Sequence, residues 1–209
     1  MTDRSVKKYT MSPRTQAQNH DIRTKRRRDI LMVALELFAT HGYHNTSVSE
    51  LAKRAGISKG LLYNYFHSKE EVLEAVIRQQ FSDSAKQLFD ELQALEGKFA
   101  PQELILLGVE KYFELLQAQE QVWRLSISLS MQVSNLPHIR EVMNEVFHRI
   151  FLLMEEMFSR CGLTHTYHRA RLLAAQLDGI ALHYYAFPQY DLQGVKAQLI
   201  QDIKQSLSS

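Results

Sequence analysis

The chain has 209 residues, 45% of them hydrophobic, one cysteine and a net charge of +2. That length and apolar content suffice for a folded core, and the lone Cys161 excludes an internal disulfide. No run of 18 uncharged apolar residues exists, which excludes a spanning helix; the N-terminus has no apolar signal segment, so a cytoplasmic location is expected.

The charge is unevenly distributed. Residues 1–70 hold 13 Lys/Arg against 6 Asp/Glu, and residues 71–209 hold 12 against 17. A basic N-terminal segment on an acidic body is the asymmetry expected of a nucleic-acid reader. Residues 1–22 are polar, contain Pro13 and show no helical stripe, so they are expected to form a disordered basic arm; Met11 is a second candidate start. Lys25, Arg26, Arg27 and Arg28 open a first helix predicted over Arg23–His41. It presents Ile30, Ala34, Leu37 and Phe38 on one face and stops at Gly42.

The next stretch, TSVSELAKRAGISKGLLYNYFHSKEEVL (46–73), is densely punctuated. Ser47 with Glu50 and Ser68 with Glu71 have capping-box spacing. Gly56 ends a helix over Val48–Ala55, and Ser58 opens a second over Lys59–Phe66. Two short helices around a glycine turn make a helix-turn-helix. On the second helix Leu62 and Phe66 fall on one side, with Ile57, as core. Gly60, Leu61, Tyr63 and Asn64 form the opposite, reading side. Gly60 permits close backbone approach, and Asn64 has the donor–acceptor pair that matches an adenine edge. Lys59 and Tyr65 flank this face toward phosphates, Lys69 adds a cation, and Thr46 and Ser47 stand at a helix N-terminus, where phosphate is favoured.

From Ser68 a long helix is predicted to about Leu95, followed by helices at roughly 102–119, 121–134, 138–160, 166–187 and 192–207. Gly97, Pro101, Asn135, Pro137, Gly162 and Pro188 mark the breaks. The prediction is an all-α chain of about nine helices, divided as an arm (1–22), a helix-turn-helix domain (23–70) and a helical body (71–209). The last two helices carry apolar stripes, Leu173, Leu177, Ile180 and Tyr184 on one, Val195, Leu199 and Ile203 on the other. These stripes suit either a dimer interface or the monomer's own core. Catalysis finds no acid–base constellation. His165 and His168 lack further metal ligands, and no phosphate loop or cofactor motif is present.

KGLLYNYF followed by HSK, with GYHNTSVSEL upstream, resembles the DNA-binding domain of TetR-family transcriptional regulators over residues 23–73. Tyr65 stands where the family commonly has histidine. The resemblance implies a non-enzymatic homodimer that binds double-stranded DNA at a palindromic operator. It implies pairing through the last two helices, a small hydrophobic or amphipathic ligand in the body, and repression relieved by that ligand. Candidate pocket residues are Phe113, Leu116, Trp123, Ile127, Met131 and Phe151, with His148, Gln176 and His183 as polar anchors; Tyr112, Phe147, Met154 and Phe158 lie on the same helices. No membrane partner and no cofactor are expected. The alternative is a helical small-molecule carrier with a vestigial DNA-binding domain.

Overall fold

Capping chemistry sets most of the helix starts. In the computed structural model, which describes residues 15–132 and 135–208 with the side chains of 82–84, 130–132 and 208 left aside, α1 spans Gln16–His41, α2 Val48–Arg54, α3 Lys59–Tyr63 and α4 Lys69–Ile77. A π-helical segment, Arg78–Ser82, joins α4 to α5 (Asp83–Gln93). Then come α6 (Pro101–Ala118), α7 (Glu120–Gln132), α8 (Pro137–Arg160), α9 (Thr166–Ala186) and α10 (Leu192–Ser208). With α4, the π segment and α5 taken as one rod, the described residues form nine helices and no strand; Glu96 and Phe99 make an isolated bridge. The all-α class holds.

Four local expectations are corrected. α1 begins at Gln16, because Thr15 and Gln18 form a complete capping box: Gln18 N donates to Thr15 Oγ1 (3.2 Å) and Thr15 N to Gln18 Oε1 (3.0 Å). Residues 16–22 are therefore helical, and 1–14 lie outside the described residues. The other two capping boxes are made in one direction only. Ser47 accepts from Glu50 N, but the Glu50 carboxylate turns to His41; Ser68 accepts from Glu71 N, while Glu71 accepts from His67 N. α3 ends at Tyr63, one turn early. The long helix is interrupted by the π segment, where the backbone takes in an extra residue per turn.

Between α2 and α3 the chain needs a positive φ, and Gly56 supplies it at +65°. Gly56 N then donates to Lys53 O and Ile57 N to Ala52 O, which closes the α2 terminus.

Two cores organise the molecule. Ile30, Ala34 and Phe38 of α1 pack with Leu51, Leu62, Phe66 and Val76. The same cluster continues into Leu125 and Leu129 of α7 and Ile139 and Val142 of α8. Packing is thus continuous across residue 70. The second core joins α6, the end of α8, α9 and α10. It absorbs both stripes named above. Leu173, Leu177, Ile180 and Leu199 are buried within one chain, with Tyr184, Val195 and Ile203 packed against them. Leu173, Leu177, Ile180 and Leu199 are thus core of the single chain, whereas Tyr184, Val195 and Ile203 keep part of their surface exposed. Each large apolar side chain so buried contributes roughly 1.5–3 kcal/mol to the fold of the single chain.

Candidate nucleic-acid interface and ligand cavity

The reading face is built on the shortest helix of the domain. Ser58 caps α3 by accepting from Leu61 N (3.1 Å), and Leu62 and Phe66 anchor it, each 1% exposed. Pinned from below, α3 leaves Lys59, Gly60, Leu61, Tyr63 and Asn64 exposed. Gly60 is not demanded by the fold: its φ is not positive, and an added Cβ would meet nothing within 4 Å. A glycine with no internal reason fits a backbone that something outside must approach.

Tyr65 is half-buried and packs on the core. It is also braced from α1: the Arg23 guanidinium lies 5.6 Å over its ring, and Arg23 Nη2 donates to Asn64 O (3.2 Å). One turn on, Arg27 lies 5.0 Å over Phe66. These two arginines went unread in the sequence as bracing residues. Their i, i+4 spacing on α1 was the available signal.

Three predicted phosphate contacts have other employment. Thr46 is buried, and its hydroxyl donates to Gly42 O (2.9 Å), so that side chain does not reach a phosphate. Lys69 folds back on the loop before α2. Its Nζ donates to Tyr43 O (2.8 Å) and Thr46 O (2.9 Å) and sits 4.4 Å over the Tyr43 ring. Burial lowers its pKa. Lys69 is thus a clamp between α4 and the α1–α2 loop rather than a free cation. Ser47 Oγ is engaged as the α2 cap.

The second site is a cavity of about 220 Å³ lined by the π segment, α5, α6, α7, α8 and α9. Trp123 and Phe151 line it as predicted in position, as do Tyr112, Phe147, Met154 and Phe158. Gln80 and Phe81 join from the π segment, and Asp178 from α9. Phe113 and Leu116 are instead buried in the second core, on the far side of α6. Ile127 does not line the cavity, and His148, Gln176 and His183 are exposed outside it. These six are corrections, because helix phase turns them away. The Met131 side chain lies outside the described residues.

Tyr112 anchors the cavity wall. Its hydroxyl donates to Leu177 O (2.7 Å), its ring meets Trp123 edge-on at 5.1 Å, and burial raises its pKa. The Trp123 indole N–H is buried without an acceptor among the described residues. A donor left so costs about 1–3 kcal/mol, a cost that an incoming oxygen would relieve. A second cavity, about 370 Å³, adjoins the first and shares Ala85, Phe89, Leu92, Ile150 and Met157 as its wall.

A trihelical helix-turn-helix with an exposed aromatic face, on a helical body with an apolar cavity, defines the architecture of a DNA-binding regulator. Residues 30–76 match the family described as bacterial regulatory proteins, tetR family. Residues 30–76 thus form a DNA-binding domain of the TetR type. The chain is 29% identical over 117 residues to the fatty acid metabolism regulator protein of Bacillus subtilis, a match covering 56% of this chain and 58% of that one. It is 33% identical over 103 residues to the transcriptional activator FasR of Mycolicibacterium smegmatis, covering 49% and 46%. The chain thus spans about half the length of these curated relatives. The fold resembles that of the Bacillus subtilis regulator FadR in complex with stearoyl-CoA (TM-score 0.73, 22% identity, 84% and 96% covered). It also resembles a Saccharomonospora viridis regulator in complex with choline (TM-score 0.68, 20% identity, 87% and 96% covered).

Proposed function

We propose that this protein is a dimeric, sequence-specific DNA-binding regulator, a repressor released from a palindromic operator when a small apolar or amphipathic molecule fills the α5–α9 cavity. The observation that carries the DNA reading is the exposed Gly60–Tyr63–Asn64 face, fixed from below by core residues and from the side by Arg23 and Arg27. Tyr63 and Asn64 contact base edges, while Lys59 and the basic start of α1 meet phosphates.

Release follows from connectivity. Phe81 of the π segment lines the cavity, and the π segment continues directly into α4. α4 in turn is clamped by Lys69 to the loop that precedes α2. A ligand that favours one arrangement of the π segment shifts α4, and with it the two reading heads. The ligand must bind the two arrangements unequally for this to work.

Dimerisation is assigned to a seam that the sequence reading overlooked. Leu172, Ala175, Gly179, Leu182 and Ala186 repeat at 3,4 spacing along α9, and all are exposed. That is the a/d pattern of paired helices, with small residues that allow close approach. The second half-site, about 34–36 Å away or a multiple of that, needs the partner copy.

The test is selection from a random duplex library, followed by titration of the winner. Enrichment of a palindrome, with binding that falls steeply with salt, is expected. Gly60→Ala then separates reading from folding. The variant melts no lower than wild type, because Gly costs up to about 1 kcal/mol in a helix, yet binds the operator at least tenfold more weakly. Equal affinity for Gly60→Ala and wild type would remove α3 as the reading helix.

A further inference from the structure

The cavity has a charge character that its size does not require. Among the described residues, none of its lining side chains is Lys, Arg or His, and the single ionisable acid or base on its wall besides the Tyr112 phenol is Asp178. Asp178 has no hydrogen-bond or ion-pair partner among the described residues, whereas arginines elsewhere on the same and the facing helix do. Arg171 is held by Glu155 and stacks on Tyr167 and Phe151, and Arg160 is held by Glu96 and Glu156. Resting on the cavity being the ligand site, we propose that the ligand is a lipophilic cation, its apolar body among the aromatic rings and its positive group against Asp178, Tyr112 and Trp123.

Three observations carry this assignment. An aromatic wall attracts cations through the ring quadrupoles, most strongly Trp and Tyr. The Asp178 carboxylate stands at the cavity wall with exposed surface and without a competing partner among the described residues, so it offers a full opposite charge to a cation. Among the described residues, every cation lining the adjoining second cavity is already ion-paired. Its Lys86 is paired with Asp90, Arg149 with Glu145, and Arg160 with two glutamates. A fatty acid or phosphate-bearing amphiphile would bring negative charge to a wall whose own charge is negative.

Trp123 is the only tryptophan of the chain, so its emission reports this cavity. The probes are three molecules with one tail: octyltrimethylammonium, 1-octanol and octanoate. Titrated into the full-length protein, the cation is expected to bind about tenfold more tightly than the alcohol, the scale of one cation–ring or cation–carboxylate contact, and octanoate more weakly than both. Asp178→Asn should abolish the preference for the cation while leaving 1-octanol binding unchanged; sedimentation of the variant checks that its assembly is intact. Equal binding of all three, tighter octanoate, or a cation preference that survives Asp178→Asn overturns the charge assignment and leaves the cavity as a ligand site. No Trp123 response to any of the three overturns the cavity reading itself, and the assignment with it.

Discussion

Lys69 illustrates how one side chain can be placed correctly on a helix and still be misread. Its position at the start of α4 suits a phosphate contact, and only the fold-back of its long stem onto Tyr43 and Thr46 shows its principal work. A lysine that positions and a lysine that contacts DNA predict different salt behaviour. Removing a phosphate contact lowers the slope of log affinity against log salt by about one. Removing a clamp leaves that slope in place and instead strands two carbonyl acceptors, at about 1–3 kcal/mol. Lys69→Ala is therefore expected to lower stability by that amount in a denaturant melt. Operator affinity should fall with an unchanged salt slope; a slope reduced by one with unchanged stability would return Lys69 to the phosphates.

At the level of elements, α4 is held against α8 by a polar network as well as by apolar packing. Glu74 accepts from Arg78 Nε (2.9 Å) and pairs with His138 Nε2 (2.8 Å), while Arg78 reaches Glu145 (2.9 Å). The hydrogen bond to Glu74 raises the His138 pKa, and bonds from His138 and Arg78 lower that of Glu74. The signs set the window. Stability from His138 is fully present below its unfolded value near 6.5 and is lost as pH rises through the higher folded value. Stability from Glu74 is lost only as pH falls through its depressed value. The link is thus strongest in mildly acidic solution, and because His138 is exposed the effect is small. Tm of the wild type is expected to gain on going from pH 8 to pH 6 relative to His138→Gln; parallel Tm profiles for the two would show that the pair contributes nothing. The network flanks the π segment, the one element the sequence did not disclose. Helix starts were legible because Ser47, Ser58, Ser68, Pro101 and Pro137 each carry a local chemical reason. Arg78–Ser82 has none, since a π turn changes the hydrogen-bond register without changing composition. The early start of α1 was written in Thr15 and Gln18. It went unread because no apolar stripe accompanies it, and Gln16 through Asp29 are all exposed.

For the whole molecule, the difficulty was that α9 is apolar on two sides. Leu173, Leu177, Ile180 and Tyr184 make one stripe; Leu172, Ala175, Gly179, Leu182 and Ala186 make another. Periodicity alone does not say which one faces the monomer's core. Packing decides: the first stripe is covered by the second core, while Leu172 remains 66% exposed and Leu182 45%. The choice yields opposite outcomes for two pairs of substitutions. Leu172→Glu with Leu182→Glu places charge on a surface seam. The protein should stay folded, sediment as a monomer and lose operator binding, because one reading head spans a single half-site. Leu199→Glu with Ile203→Glu buries one charge in the α6–α9–α10 core at Leu199 and sets a second at its half-buried edge, and an unpaired buried carboxylate is strongly disfavoured. That variant should lose cooperative thermal unfolding rather than yield a folded monomer. Sedimentation and melting of both double variants distinguish the arrangements: a folded monomer from Leu199→Glu/Ile203→Glu, with an intact dimer from Leu172→Glu/Leu182→Glu, would move the interface to the buried stripe. On the proposed α9 seam, Asp178 and the partner contact share one helix, so a ligand drawn to Asp178 would bear on that contact as well as on the π segment. Both routes lead to the spacing of the two α3 helices, the quantity a palindromic site measures.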